Sequence, residues 1–309
     1  MLTWQVHAIF VVGLFAIGAV VGSFLNVCIY RIPWEKSVIW PASHCPRCWK
    51  PIAPQDNVPV LSWLALRGEC RNCGEAIAAR YPLVETLVGL LFAGVYLADV
   101  SFGVQIPWGP LPAWIPLRVI YHLVFVALLV TATFIDYDYY IIPDQITVTG
   151  VIVGLGLGTL FPEIRPEPSQ AVSYWAGLKT GLIGLAVGAG LTQTVRVLGS
   201  IVFRKEAMGF GDVTLMAMIG SFLGWQAAVL TFFIAPFFGL GHALWKLVKL
   251  LGKVLSRRPY SSADRELPFG PYLSMAALFL LLSWFRLWPN WGKMNFEALT
   301  ALIQMLSWG

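Results

Sequence analysis

Charge is scarce in this chain. Only 12% of its 309 residues are charged, against 58% hydrophobic. A soluble domain carries about 25% charged residues, so an integral membrane protein is expected. Strand-like alternation of apolar and polar residues is missing as well, which argues against a β-barrel. Long apolar runs remain, near 6–30, 82–101, 117–135, 146–162, 176–203, 212–224, 226–248 and 271–288. Most are long enough to cross a hydrocarbon layer of about 30 Å as helices. The sixth is short, and its boundary with the seventh is ill-defined. The fold expected is an all-α polytopic membrane protein of about eight transmembrane helices.

Other absences narrow the chemistry. The chain has no Gly-x-Ser-x-Gly, no His-Glu-x-x-His and no Gly-x-x-x-x-Gly-Lys, so no serine nucleophile elbow, zinc-protease helix or phosphate loop is visible. The four histidines, at 7, 44, 122 and 242, are scattered. Met1 to Tyr30 contains neither Lys nor Arg. The basic region of a cleavable signal is therefore lacking, and the first apolar run is expected to stay as a span.

The positive charges that exist are unevenly placed. The loop 31–81 holds Arg31, Lys36, Arg47, Lys50, Arg67, Arg71 and Arg80. By the positive-inside rule this loop is cytoplasmic and the N-terminus lies outside. Threading the spans forward puts 136–145, 204–211 and 249–270 inside too, the last with Lys249, Lys253, Arg257, Arg258 and Arg265. The opposite loops, 102–116 and 163–175, offer only Arg165. Membrane orientation accounts for the basic balance, and no nucleic-acid partner is expected.

Cysteine is rare, with five in all, yet four of them share the loop 31–81. Cys45-Pro46-Arg47-Cys48 and Cys70-Arg71-Asn72-Cys73 are two Cys-x-x-Cys knuckles with 21 residues between them. Four thiolates so spaced suit one tetrahedral zinc in a small zinc-ribbon-like domain. A pair of disulfides or a dithiol redox centre is the competing reading, and a cytoplasmic location disfavours stable disulfides. A loop of about fifty residues is too short for a good core, and a metal would supply the missing folding energy. His44 is a bystander or a substitute ligand. Cys28, in the first span, reads as an apolar filler. Asp56 to Trp63, between the knuckles, is an apolar patch with polar edges, suited to rest on the membrane surface or on a partner.

Small residues recur at helical spacing: Gly18 and Gly22, then Gly150, Gly154 and Gly158, then Gly184 and Gly188. They are expected to let helices pack closely in lipid.

Acids at a membrane edge are costly and point to function. Asp136, Asp138 and Asp144 cluster at the end of the third span, and Asp212 follows the turn Gly209-Phe210-Gly211 at the start of the sixth. Structural alternatives stay open: Asp212 or Asp144 as an N-terminal cap, and the Asp136 cluster as solvated interface with its tyrosines as an aromatic belt. The topology nevertheless puts Asp136 and Asp212 on one side. Two carboxylates brought close share a proton. One then serves as general base on a water and the other as general acid, which hydrolyses peptide bonds without a covalent intermediate. A transporter using these acids as a proton relay is a rival; its inverted repeats are not seen.

Several stretches together resemble the type IV prepilin peptidases, the prepilin leader peptidase/N-methyltransferases, which share a Gly-x-Gly-Asp motif with other membrane aspartyl proteases. They are Gly22-Ser23-Phe24-Leu25-Asn26-Val27 with Arg31-Ile32-Pro33, the four-cysteine loop, Asp56 to Trp63, Arg80 to Glu85, the Asp136 segment, Gly209 to Val213, and Pro268 to Pro271. The resemblance implies a bacterial inner-membrane aspartyl endopeptidase. It would cleave the leader of prepilins and pseudopilins at the cytoplasmic face, with Asp136 and Asp212 as the catalytic pair. It also implies S-adenosylmethionine-dependent N-methylation of the new N-terminus, associated with the amino-terminal half; Glu85 and Asn26 are the candidate cofactor-binding residues. Asp138 matches no essential position in the resemblance, and Asp144 matches a frequent Asp/Asn. The expected parts are a first transmembrane helix (1–30), the zinc loop with Cys45, Cys48, Cys70 and Cys73 (31–81), a multi-span peptidase region (82–290) and an amphipathic tail (291–309). The expected partners are protein substrates and membrane lipids. A non-enzymatic assembly factor of a pilus or type II secretion system, docking partners through the zinc loop, is the alternative. It has no use for both aspartates.

Overall fold

A computed structural model describes residues 4–102, 114–166, 173–205, 208–255 and 268–289. The described residues form helices and no named strand. In chain order they are α1 (Trp4–Arg31), a short α2 (Leu61–Ala65), α3 (Arg80–Tyr96), α4 (Ile115–Tyr139), α5 (Asp144–Leu160), α6 (Tyr174–Phe203), α7 (Phe210–Leu223), α8 (Trp225–Leu255) and α9 (Gly270–Leu287). Eight of these coincide with the eight apolar runs. Six are long and apolar enough to cross a membrane, while α5 and α7 are shorter apolar helices. The chain is a polytopic membrane protein. The uncertain boundary between the sixth and seventh runs falls at Gly224, whose φ of +88° ends α7. The expected tail 291–309, the central part of the loop 102–116, and Arg257, Arg258 and Arg265 lie outside the described residues.

Glycines set the helix contacts, as their spacing led one to expect. A Cβ on Gly18 or Gly22 of α1 would run into the α3 backbone at Gly89 and Glu85, and one on Gly184 or Gly188 of α6 into the α7 carbonyls of Gly220 and Met216. Backbones that approach so closely gain dispersion contacts, the main source of helix adhesion in lipid. α7 is enclosed by α5, α6, α8 and α9. Its Leu215, Met216, Met218, Ile219 and Phe222 are fully buried, together with Tyr121, Phe125 and Leu129 of α4. A 14-residue helix is about 21 Å long. It survives because protein, not lipid, surrounds it.

The loop between α1 and α3 is built differently. Between residues 32 and 79 only Cys45 and Gly68 are buried, so it has no apolar core, as its length predicted. It is fastened by polar contacts. Asp56 takes a two-pronged contact from Arg71 at 2.6–3.1 Å, the Trp63 indole N–H donates to the Ile77 carbonyl at 2.9 Å, and the Val60 N–H donates to Glu85 of α3 at 2.7 Å. Asp56 to Trp63 is therefore tied to this chain's own third helix at Val60.

Two local expectations need correction. Asp144 does not cap α5: Pro143 holds the cap position, without a side-chain cap bond, and Asp144 is the first helical residue. The proline fixes an extended backbone there, so the carboxylate falls one position too late. Asp136 does not end its helix either; α4 continues to Tyr139 and closes at left-handed Tyr140.

Candidate active site and metal centre

Asp136 lies in the last turn of α4 and Asp212 in the first turn of α7, and both are buried. The turn Gly209-Phe210-Gly211 has Gly209 as cap residue with extended backbone. The Asp212 carboxylate accepts the Gly209 N–H, as the side chain at the third helical position of a capping box does. Asp212 is therefore not the cap residue foreseen: Gly209 holds that position, and the bond back to its N–H aims the carboxylate. Arg196 of α6 steadies the turn, donating from Nε to the Met208 carbonyl at 3.1 Å with its guanidinium 5.8 Å from the centre of the Phe210 ring.

Asp136 is held from another direction. Its Oδ2 accepts the Gly270 N–H at 3.0 Å, and Gly270 is the first residue of α9. Ile142, after α4, touches both sides of the site. A Cβ on Gly211 would meet it at 2.9 Å, and one on Gly270 would meet it at 2.9 Å and Asp136 Oδ2 at 2.6 Å. The two aspartates are near enough for the charge of one to act on the other. Each also faces a helix N-terminus, the positive end of the helix dipole. Two buried carboxylates, each fixed by a backbone N–H, are the groups a general acid and a general base require. The Pro268-Phe269-Gly270-Pro271 stretch was visible in the sequence, but nothing in it signalled a donor to Asp136.

Asp138 turns elsewhere. It pairs with Arg80 Nη2 at 2.5 Å, and that guanidinium lies over the Phe134 ring. This contact joins α3 to α4 at the same end as the aspartate pair. Asn26 and Glu85 come together on the α1–α3 seam: Asn26 donates to the Tyr81 carbonyl at 3.2 Å, while Glu85 Oε2 holds the Val60 N–H.

The four loop cysteines meet, with their sulfurs all within 4.8 Å of one another. Cys45 and Cys73 sulfurs lie 3.7 Å apart, close to the edge of about 3.8 Å of a tetrahedron with metal–sulfur bonds of about 2.3 Å. All are free thiols. The knuckles repeat one geometry. Cys45 bonds through its N–H to Lys50 and Cys70 to Glu75, and left-handed Trp49 and Gly74 follow the second cysteine of each. The N–H groups of Cys48 and Arg47 bring the Cys45 thiol down to about 6. The Glu75 N–H favours ionisation of Cys73, yet burial and hydrogen bonds to the other three sulfurs push it up to about 12. Sulfurs this close ionise together only with a cation among them, so the donor set fits zinc. His44 stays outside it, bonded to the Ala42 carbonyl and stacked on Trp49.

Comparison with known proteins agrees in extent. Residues 16–98 match the bacterial peptidase A24 N-terminal domain, and residues 123–244 match the type IV leader peptidase family. A prepilin leader peptidase/N-methyltransferase of Myxococcus xanthus is 34% identical, covering 89% of this chain and 90% of the relative. One from Aeromonas hydrophila is 32% identical over 91% and 93%. A type 4 prepilin-like proteins leader peptide-processing enzyme of Escherichia coli is 33% identical over 84% and 89%. No solved structure matches the chain.

Proposed function

The chain belongs to the prepilin leader peptidase/N-methyltransferase family, and from that premise we propose that it is a membrane aspartyl endopeptidase cleaving prepilin or pseudopilin leaders. The observation that carries the reading is the approach of Asp136 and Asp212, from separate helices, at a buried edge furnished with backbone donors. In the proposed reaction the ionised member takes a proton from water, whose oxygen attacks the scissile carbonyl. The protonated member donates to the amide, whose C–N bond then breaks. The Gly270 N–H keeps the Asp136 carboxylate oriented through both steps.

The placement proposed is the bacterial inner membrane, with the N-terminus periplasmic and the aspartate pair at the cytoplasmic face. It follows from the basic loop 31–81. There the positively charged leader and the start of the substrate's apolar helix arrive together. The proposed division is the zinc loop of 31–81 hung between α1 and α3, and a peptidase region from 82 onward.

N-methylation of the new N-terminus is proposed as the second activity, with S-adenosylmethionine supplying the methyl group. Glu85 and Asn26 are the residues proposed for it. They are the buried polar pair next to the zinc loop, and Glu85 keeps Oε1 as an acceptor suited to a cationic amino group. Incubating the membrane-embedded protein with a prepilin and weighing the product tests both activities at once. An uncut substrate ends the first proposal, and a cut but unmethylated product ends the second.

Two further results are expected. Gly270→Ala lowers cleavage about 10²-fold, because a Cβ placed 2.6 Å from Asp136 Oδ2 must move the carboxylate, and misplacement by about 1 Å costs that much. Wild-type kcat in this variant would remove Gly270 from the site. Asp138→Asn keeps cleavage within about fivefold, since a partly exposed ion pair contributes at most about 1 kcal/mol. Combining it with Arg80→Gln costs no more than either change alone. A loss confined to Asp138→Asn would exchange the roles of Asp138 and Asp136.

A further inference from the structure

α7 ends inside the molecule. Its length of about 21 Å is about 9 Å short of a hydrocarbon layer about 30 Å thick. Gly224 alone separates it from α8, and residues 221–224 are all buried. A helix C-terminus leaves its last four carbonyls without intrahelical partners, and hydrocarbon has no water to serve them. The Gly220 carbonyl takes the Gly224 N–H at 2.9 Å. Two of the others meet side chains from other segments: the Phe222 carbonyl lies 3.2 Å from Tyr121 Oη, and the Ser221 carbonyl 3.4 Å from Arg165 Nη2.

Arg165 is 1% exposed and has no acidic partner among the described residues. It follows the short turn after α5 and reaches back between α5, α6 and α7. Its Nη1 donates to the Gly177 carbonyl and its Nη2 also to the Gly154 carbonyl at 3.3 Å. Its Nε has no partner. The cradle is cut from glycine: a Cβ on Gly158 or Gly181 would overlap the guanidinium. An unpaired buried guanidinium is costly. What it faces here is the negative end of a helix dipole.

We propose that Arg165 is a positioning residue: it caps the buried C-terminus of α7 and so sets the depth at which the other end of that helix presents Asp212. The proposal rests on Asp212 being catalytic. A single helix of 14 residues joins the two ends, so its axial position is shared by both. A slip of about 1 Å at one end is a slip of about 1 Å at the carboxylate, enough for about 10²-fold in rate.

The test uses the full-length protein in lipid vesicles. It measures kcat and KM for prepilin cleavage, and separately methyl transfer to a pilin that has already been cut. Arg165→Met is expected to lower kcat 10- to 100-fold, with KM and methyl transfer within about twofold. Arg165→Lys, which keeps a cation able to reach one carbonyl, recovers at least a third of the lost log units. Gly158→Ala, which displaces the guanidinium, lowers kcat at least fivefold, and adds less than twofold to Arg165→Met. Unchanged kcat in Arg165→Met overturns the proposal. Equal loss of cleavage and methyl transfer in both Arg165→Met and Gly158→Ala also overturns it, assigning Arg165 to general packing. Asp212→Asn runs alongside: full activity there defeats the catalytic reading itself, whereas a dead Asp212→Asn beside a normal Arg165→Met defeats this proposal alone.

Discussion

Asp136→Asn and Asp212→Asn are each expected to abolish prepilin cleavage, with a loss of about 10²–10⁴-fold or more. Asparagine keeps the shape of the side chain and still accepts the Gly270 or Gly209 N–H, so the helix ends stay in place. It can neither take a proton from water nor give one to the leaving amide. The double variant is expected to be no worse than either single one, because the two groups act as a unit. In the substrate-bound form the carboxyl groups are expected within roughly 3–6 Å, close enough to share one proton. The assay is cleavage in membranes at matched expression. Full activity in either single variant ends the aspartyl-protease proposal, while methyl transfer to a pre-cut pilin should survive both.

Zinc is the second large effect. Purified protein is expected to carry one equivalent, held by Cys45, Cys48, Cys70 and Cys73. Zinc binding is worth about 10–16 kcal/mol in small zinc-dependent folds. The loop 32–79 buries only Cys45 and Gly68, so no apolar core can replace that energy. Cys45→Ser with Cys48→Ser should release the metal and make residues 31–81 rapidly cleavable by added protease, with the membrane helices intact. Methyl transfer should fall at least as far as leader cleavage, because the loop is anchored on Glu85 through the Val60 N–H. Less than about half an equivalent of zinc in protein with four free thiols would sink the metal assignment. Normal methylation in the double variant would separate the loop from the transferase.

Much of this was legible in the chain itself, and the legible parts share a property: each depends on neighbours in sequence or on the solvent. The bilayer sets helix length, so the apolar runs marked the eight helices. A Cys-x-x-Cys knuckle closes over four residues, so two of them announced one four-thiol cluster. Small residues four apart form one helix face, so Gly18 and Gly22, or Gly184 and Gly188, announced close packing. Asp136 and Asp212 stood out because acids are rare where the surroundings are apolar.

The tertiary structure alone decided how these parts meet. That Gly270 bonds Asp136, that Ile142 touches the site from both sides, and that Asp138 turns to Arg80 all depend on the angle and depth at which separate helices pack. Composition and period carry neither. Asp144 shows the same limit on a small scale: one residue of register, set by Pro143, removed it from the cap. Arg165 shows it most fully. In sequence it is the only basic residue of its outer loop, between Glu163 and Glu167. Only the buried end of α7, with carbonyls that lipid cannot hydrate, turns it into a cap.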